Sequence, residues 1–542
     1  FNECGFDMIY LDALDGEDVI AGRENGWHYG SKFTWEICKR LKRPAIMEMS
    51  TFHHHLWFVR ARMGAWDHPT RSHKKFIDIH CAGNESCRRM FLPAHLGWWA
   101  FKTWTGPQGE PTFADDIEYL CTKALANNCG LSVMGITPEN APKTPALPRL
   151  AAIVKRYEEL RRAKYFPESV KEKLRVPGDE FTLVDLDAGS GFGVPALAGS
   201  HNSSAIQTKP AKAGTPNPGR FQFRRVQYDK HKVLSLDGWS NEWKMTNKFS
   251  RQPLQLRIEA LMSAGPYDAP SNITLTDFAD PSSFAKRAPS PAISAKLEPS
   301  SQCVKIGKVS GCYTAMSKMA TRQGAWSSAG KTFSPPANLT RHEALGVWVH
   351  GDGKGEVLNL QLKSPSHLSH ADGDHYIIVD FAGWRYFELI EPEGRRHADY
   401  KWPYGGIYSI YRESIRPASV ESLNLYFNNL PPKDTATCHL SPIRALPTVK
   451  AKLRNPSVAV GGKTIIFPVE IESGQYLEFR SPSDCKLYGP TGEVLSDVTP
   501  QGGAPILEPG ENAVKFTCEP PAGLNPRAHV SVISHGELVD SK

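Results

Sequence analysis

Two carboxylates at the ends of apolar runs, Asp12 and Glu48, are the side chains of this sequence best suited to chemistry. Asp12 closes Gly5-Phe6-Asp7-Met8-Ile9-Tyr10-Leu11-Asp12, and Glu48 lies near the end of Arg43-Pro44-Ala45-Ile46-Met47-Glu48-Met49-Ser50. Both runs read as short buried parallel strands. Parallel neighbours lie about 4.8 Å apart, so side chains at adjacent strand tips meet across the roughly 5 Å that a retaining glycosidase needs. In that chemistry Asp12 is the nucleophile and Glu48 the acid/base. Trp27 and His28, in the stretch Ala13 to Gly30 that reads as a glycine-rich loop, and Trp57 and Trp66 further on form the stacking and hydrogen-bonding walls. Arg60 and Arg62 are placed to pair with a substrate carboxylate or sulfate.

Each of these residues also has a structural role open to it. An acid after a strand often caps a helix, and Arg60 and Arg62 serve equally as ion-pair partners for Asp67 or Asp78. The triple His53-His54-His55 invites a metal reading, but consecutive side chains point in different directions and cannot converge on one ion. No metal and no cofactor are expected.

The elements that would position these residues follow from periodicity. From residue 1 to about 185, strand-like runs alternate with helical ones: a helix at Lys32 to Lys42, a strand at Ala45 to Met49, a helix at Ala114 to Ala126, a strand at Leu131 to Ile136, a helix at Pro148 to Lys164 and a strand at Phe181 to Val184. Asp115 and Asp116 fall in a helix first turn, where they oppose the dipole. The alternation predicts an α/β segment, the C-terminal part of a TIM-type (β/α)8 barrel, with earlier strands preceding Phe1. Residues 189–219 are rich in Gly, Ala, Ser, Pro and Lys and read as a linker or exposed loop. Beyond them, runs such as Leu345 to His350, Glu356 to Leu362 and His375 to Phe381, separated by turn residues, predict a β-sandwich of jelly-roll type. The Pro/Ala/Ser stretch Arg287 to Pro299 reads as a surface loop within it. Thr464 to Ile471, Tyr476 to Phe479 and Ala513 to Thr517 predict a second, smaller sandwich. The expected fold is therefore multidomain, α/β plus all-β, with domains at 1–188, 220–447 and 448–542 around the linker.

Size and charge narrow the function. At 542 residues the chain needs more than one core. A net charge of +7 without a long Lys/Arg run gives no nucleic-acid arm, and no apolar run is long enough for a membrane span. Eleven cysteines include the close pairs Cys81/Cys87, Cys121/Cys129 and Cys303/Cys312 and the more distant Cys485/Cys518, which are the disulfide candidates. Asn84, Asn202, Asn272 and Asn338 open glycosylation sequons. Together these predict a secreted or extracellular glycoprotein.

With those residues in view, the first 185 or so residues resemble the catalytic half of a (β/α)8 glycoside hydrolase. Asp on one strand end and Glu on the next is similar to the α-amylase clan and its endo-α-N-acetylgalactosaminidase relatives. The further acid that such relatives carry two strands later has one counterpart here, Glu139. Phe91 to Trp99 holds no acid, which departs from the α-galactosidase type. The two sandwiches resemble accessory and carbohydrate-binding modules. The resemblance implies a secreted hydrolase cleaving a complex glycan with retention. The alternative is a non-catalytic glycan-binding or structural glycoprotein. The partner is a polysaccharide or glycoprotein glycan, and either a cleaved N-terminal chain completing the barrel or a second copy of the chain accompanies it.

Overall fold

A computed structural model describes residues 1–11, 22–49, 66–67, 71–85, 95–106, 111–187, 220–365, 371–390, 415–519 and 523–540. The chain divides into two compact units, one of residues 1–103, 111–227 and 535–542, the other of 104–110 and 228–534.

In the first unit, strand β1 (Met8–Leu11) pairs in parallel with β2 (Ile46–Met49), and helix α1 (Arg23–Arg40) lies between them in sequence. A three-stranded parallel sheet follows, of β3 (Trp66–Asp67), β4 (His95–Trp99) and β5 (Gly130–Val133), with helix α2 (Arg71–Asn84) between β3 and β4. Helices α3 (Ala114–Ala126), α4 (Leu147–Arg162) and α5 (Glu168–Arg175) pack around Ile117, Leu150, Tyr157, Leu160 and Leu174. Strand β6 (Glu180–Asp185) then pairs antiparallel with the start of β7 (Phe221–Val233).

The (β/α)8 barrel is not present. Parallel strands among the described residues form one sheet of two and one of three. A barrel needs every neighbour parallel, whereas the chain turns back on itself at β6 and β7, and most of its strands lie in antiparallel sheets. Helix α1 also takes in Arg23 to Gly30, the second half of the expected loop.

The second unit is built of antiparallel sheets. One sandwich packs a five-stranded sheet on a larger one. The five-stranded sheet runs in the order β11 (Lys286–Pro289), β14 (Trp326–Ala337), β19 (Val420–Asn428), β16 (Glu356–Lys363), β17 (Asp372–Val379). The facing sheet runs β10 (Ile273–Thr276), β21 (Ile443–Leu446), β15 (Ala344–Asp352), β20 (Thr435–Leu440), β13 (Ser310–Ser317), β12 (Ile293–Ser300), with β18 (Ala382–Ile390) paired to β15. Alternation decides which side chains enter the core: Leu358, Leu360, Leu362, Leu423, Leu425 and Phe427 from one sheet meet Val347, Val349, Tyr313 and Leu440 from the other. The stretch Arg287 to Pro299 is not a loop, since β11 pairs with β14 and β12 with β13. Both are edge strands, where proline is tolerated.

In the other sandwich, β8 (Glu242–Asn247) pairs with β25 (Gly510–Glu519), which pairs with β22 (Lys452–Val460). Across the core, β9 (Gln255–Ala260) lies between β23 (Tyr476–Ser481) and β26 (Ala528–Leu538), and β24 (Asp484–Tyr488) extends β23. Residues 242–260 thus hydrogen-bond with the end of the chain.

No disulfide forms among the described residues, and Cys81, Cys121, Cys129, Cys303, Cys312, Cys485 and Cys518 are free thiols. Cys121 lies in the core of α3, α4 and α5, whereas Cys129 lies in the core under β4 and β5. Cys485 and Cys518 share one core, come from its two opposed sheets and are not bonded to each other. Cys87 falls outside the described residues. Among the described residues, no helix is long and apolar enough to cross a membrane.

Candidate functional site

The outward face of the five-stranded sheet brings together polar and aromatic side chains from four strands. Because Leu358, Leu360 and Leu362 point inward, Asn359, Gln361 and Lys363 point outward. The pairing sets three rows across the sheet: Ser328, Tyr426, Asn359 and Tyr376; Gly330, Asn424, Gln361 and Asp374; Thr332, Ser422, Lys363 and Asp372. A fourth, at the sheet's other end, is Trp326, Asn428, Val357 and Ile378.

A hydrogen-bonded floor runs through the middle rows. Asp374 is fully buried, and its Oδ1 accepts from Asn359 Nδ2 at 2.8 Å and from Gln361 Nε2 at 2.9 Å. Asn424 Nδ2 donates to Gln361 Oε1 at 3.4 Å. A Cβ at Gly330 would collide with Asn424 Oδ1, so glycine there lets the amide lie across the strand. Half-buried rings lie beside this floor in the pairing: Trp326 and Tyr426, with centroids 6.2 Å apart, and Tyr376. Burial pushes the Tyr426 hydroxyl up, Lys363 draws it down, and Asp372 and Asp374 push it up further. Lys363 and Asp372 approach to 3.5 Å at one end of the face. At the other, the buried Asn428 Nδ2 has no hydrogen-bond partner among the described residues. Amide donors, carboxylate acceptors and ring faces on one rigid sheet suit a ligand that carries hydroxyls around an apolar ring face.

The residues singled out from the sequence lie in the first unit. Asp12, Trp57, Arg60 and Arg62 fall outside the described residues. Glu48 stands opposite Tyr10 in the pairing of β1 with β2. The Tyr10 ring lies 4.7 Å from Trp98, whose register partner is Trp66. Trp27 is 56% exposed on α1, and its ring meets exposed His28 edge-on at 5.6 Å. Glu139 is exposed and held below the usual carboxylate range by the Thr137 hydroxyl. Of the sequons, Asn338 is exposed. Asn272 Nδ2, the atom a glycan would take, donates to the carbonyls of Pro266 and Tyr267. The side chain of Asn84 and all of Asn202 fall outside the described residues.

The first unit also holds a buried charge cluster. Lys74 Nζ lies 2.9 Å from Asp115, 2.8 Å from Glu180 and 3.7 Å from Asp116. Burial alone would lower the Lys74 ammonium, but the carboxylates overcome it and raise it. Nearby, burial raises Asp78 and lowers Lys123, which donates to the carbonyls of Leu174 and Val176. These groups satisfy one another and leave little for a ligand.

The candidate face was signalled in part by Leu358-Asn359-Leu360-Gln361-Leu362-Lys363, a strict alternation whose polar half is amide-rich. Nothing local ties Trp326 or Tyr426 to it. Trp384 and Tyr386 are half-buried on the outward side of β18.

No protein-family model and no curated protein matches the chain. Among solved structures it is similar to a family 11 carbohydrate-binding module from Clostridium thermocellum in complex with a β-1,3-1,4-mixed-linked tetrasaccharide, at 12% identity and a TM-score of 0.23, over 35% of this chain and 96% of that one. The CBM22-1 xylan-binding domain from Paenibacillus barcinonensis shows 12% identity and a TM-score of 0.19, over 34% and 99%. An exo-β-agarase shows 10% identity and a TM-score of 0.22, over 33% of this chain and 25% of its own length. TM-scores this low carry no argument about function.

Proposed function

We propose that this chain binds a glycan on the outward face of its five-stranded sheet. The observation that carries the reading is the floor of Asn359, Gln361, Asp374 and Asn424 flanked in the pairing by the rings of Trp326, Tyr376 and Tyr426. A pyranose can lay its apolar face on a ring and direct its hydroxyls to the amides. The partner is a polysaccharide or glycoprotein glycan outside the cell, a location the exposed Asn338 sequon supports. Isothermal titration of the full chain against soluble polysaccharides tests the reading. Binding that weakens in Tyr426→Ala supports it, and wild-type affinity in that variant rejects it.

A second reading, hydrolysis by Asp12 and Glu48, is favoured by one observation: β1 and β2 are parallel neighbours with Leu11 opposite Met49. In this reading Trp27, His28, Trp57, Arg60, Arg62 and Trp66 line the substrate. Loss of reducing-end release in both Asp12→Asn and Glu48→Gln supports it, and unchanged turnover in both rejects it. The domain division at 188, 219 and 447 is carried forward as a proposal, with residues 242–260 moved to the last sandwich, where their strands pair. A second copy of the chain is likewise a proposed partner.

A further inference from the structure

The opposite sheet of the same sandwich also presents an outward face, of different chemistry. Val347 and Val349 of β15 enter the core, so Trp348 and His350 point outward. In the pairing, His350 faces His439 on one side and Trp384 on the other, and Trp348 faces Tyr386. The His350 ring lies 5.4 Å from Trp384 and 5.9 Å from His439, and Trp348 lies 5.3 Å from Tyr386. All five side chains are half-buried rather than covered. The loop between β12 and β13 lays the exposed Lys305 over the Trp348 ring, Nζ 4.5 Å from its centroid. Ser310 Oγ in turn meets His439 Nδ1 at 3.2 Å.

Charge distinguishes this face. Its acids are already engaged: Glu298 with Lys296 at 3.2 Å, Asp268 with Arg444 at 2.8 Å, Glu388 with the Asn525 amide at 2.9 Å, and Asp352 with the backbone N–H of Thr437 at 2.8 Å. Lys305 has no carboxylate partner among the described residues, and exposed Lys308 lies three residues along the same loop. We infer that this face is a second saccharide site, for a pyranose that carries a negative charge, with the ring stacked on Trp348 and Trp384 and its anionic group held by Lys305. Ring and ammonium reinforce one another, because a cation over an indole is most strongly attracted where water is excluded. The inference does not rest on the five-stranded face and would stand without it.

A uronate and a sulfated sugar share the required chemistry. The test therefore titrates the full chain with oligogalacturonate and, separately, with a sulfated galactan oligosaccharide, at low and raised salt. Binding of either probe is expected to weaken about tenfold or more in Lys305→Glu, a surface change that leaves the core alone, and in Trp348→Ala. It is also expected to weaken as salt rises and to persist in Tyr426→Ala. The arm that binds identifies the anionic group. Absence of binding to both probes, or equal affinity in Lys305→Glu, overturns the inference. Loss of binding in Tyr426→Ala with none in Trp348→Ala overturns it too, by assigning the anionic glycan to the other face.

Discussion

Two regions of this molecule bury polar side chains, and they do so in different ways. Around Lys74 in the first unit, a full ammonium meets three carboxylates, and the charges close on one another. On the five-stranded sheet the buried groups are neutral amides around one carboxylate, with half-buried rings in neighbouring register positions. A closed ionic cluster holds a fold together, whereas neutral amides beside aromatic rings on the outward side of a sheet are the chemistry we propose for glycan binding. Polarity in the interior does not by itself mark a site; its charge and the rings beside it separate these two regions.

If the contrast is sound, Lys74→Met costs the most. It removes the ammonium from beside Asp115 and Asp116, both at or below 5% exposure, and is expected to destabilise by about 3–5 kcal/mol in chemical denaturation, with no change in glycan affinity of the folded fraction. A well-folded Lys74→Met with normal stability would erase the distinction. Next comes Tyr426→Ala, expected to weaken glycan binding about tenfold, or about 1.4 kcal/mol, with a melting temperature close to wild type.

Glu356, at the start of β16, sharpens the comparison through pH. Burial and the neighbouring Asp352 push its carboxyl up to about 8, against a smaller pull from Arg322. The folded value lies above the ordinary 4.5 of a glutamate, so its contribution to stability is fully present below about pH 4.5 and is lost as the pH rises through about 8. Glu356→Gln is therefore expected to melt several degrees above wild type at pH 8 and to lose that advantage toward pH 4.5. Parallel curves across that range would contradict the assignment.

Asn428→Leu carries the smallest effect. Removing an amide whose Nδ2 has no partner among the described residues is expected to change stability by less than about 1 kcal/mol. Weaker glycan binding in this variant would place the amide within the site.

Legibility in the sequence varied with the separation of the residues involved. Helix α3 falls at Ala114–Ala126 as its pattern requires, and Asp116 accepts from the Phe113 N–H as expected of a first-turn acid. Asp115 in the same turn goes instead to Lys74, a partner 41 positions away that no local pattern announces. The parallel neighbours β1 and β2 were legible from two apolar runs, yet the barrel inferred from them was not there. Short βα alternation specifies parallel pairing without specifying closure, and the antiparallel turn at β6 and β7 spans 35 positions between Asp185 and Phe221. The candidate face follows the same rule. Alternation within Glu356 to Lys363 exposes Asn359 and Gln361, but Tyr426 and Trp326 join them only through the pairing of β14, β19 and β16.

The central claim is that the five-stranded face binds neutral glycan through its amide floor. Its most direct test is calorimetric titration of wild type and Gln361→Ala with a soluble mixed-linkage β-glucan, a xylan and an agarose oligosaccharide. The account predicts saturable binding of at least one by wild type and a loss of about tenfold in the variant. Equal affinity in the two proteins, or no binding of any of the three by wild type, would contradict it.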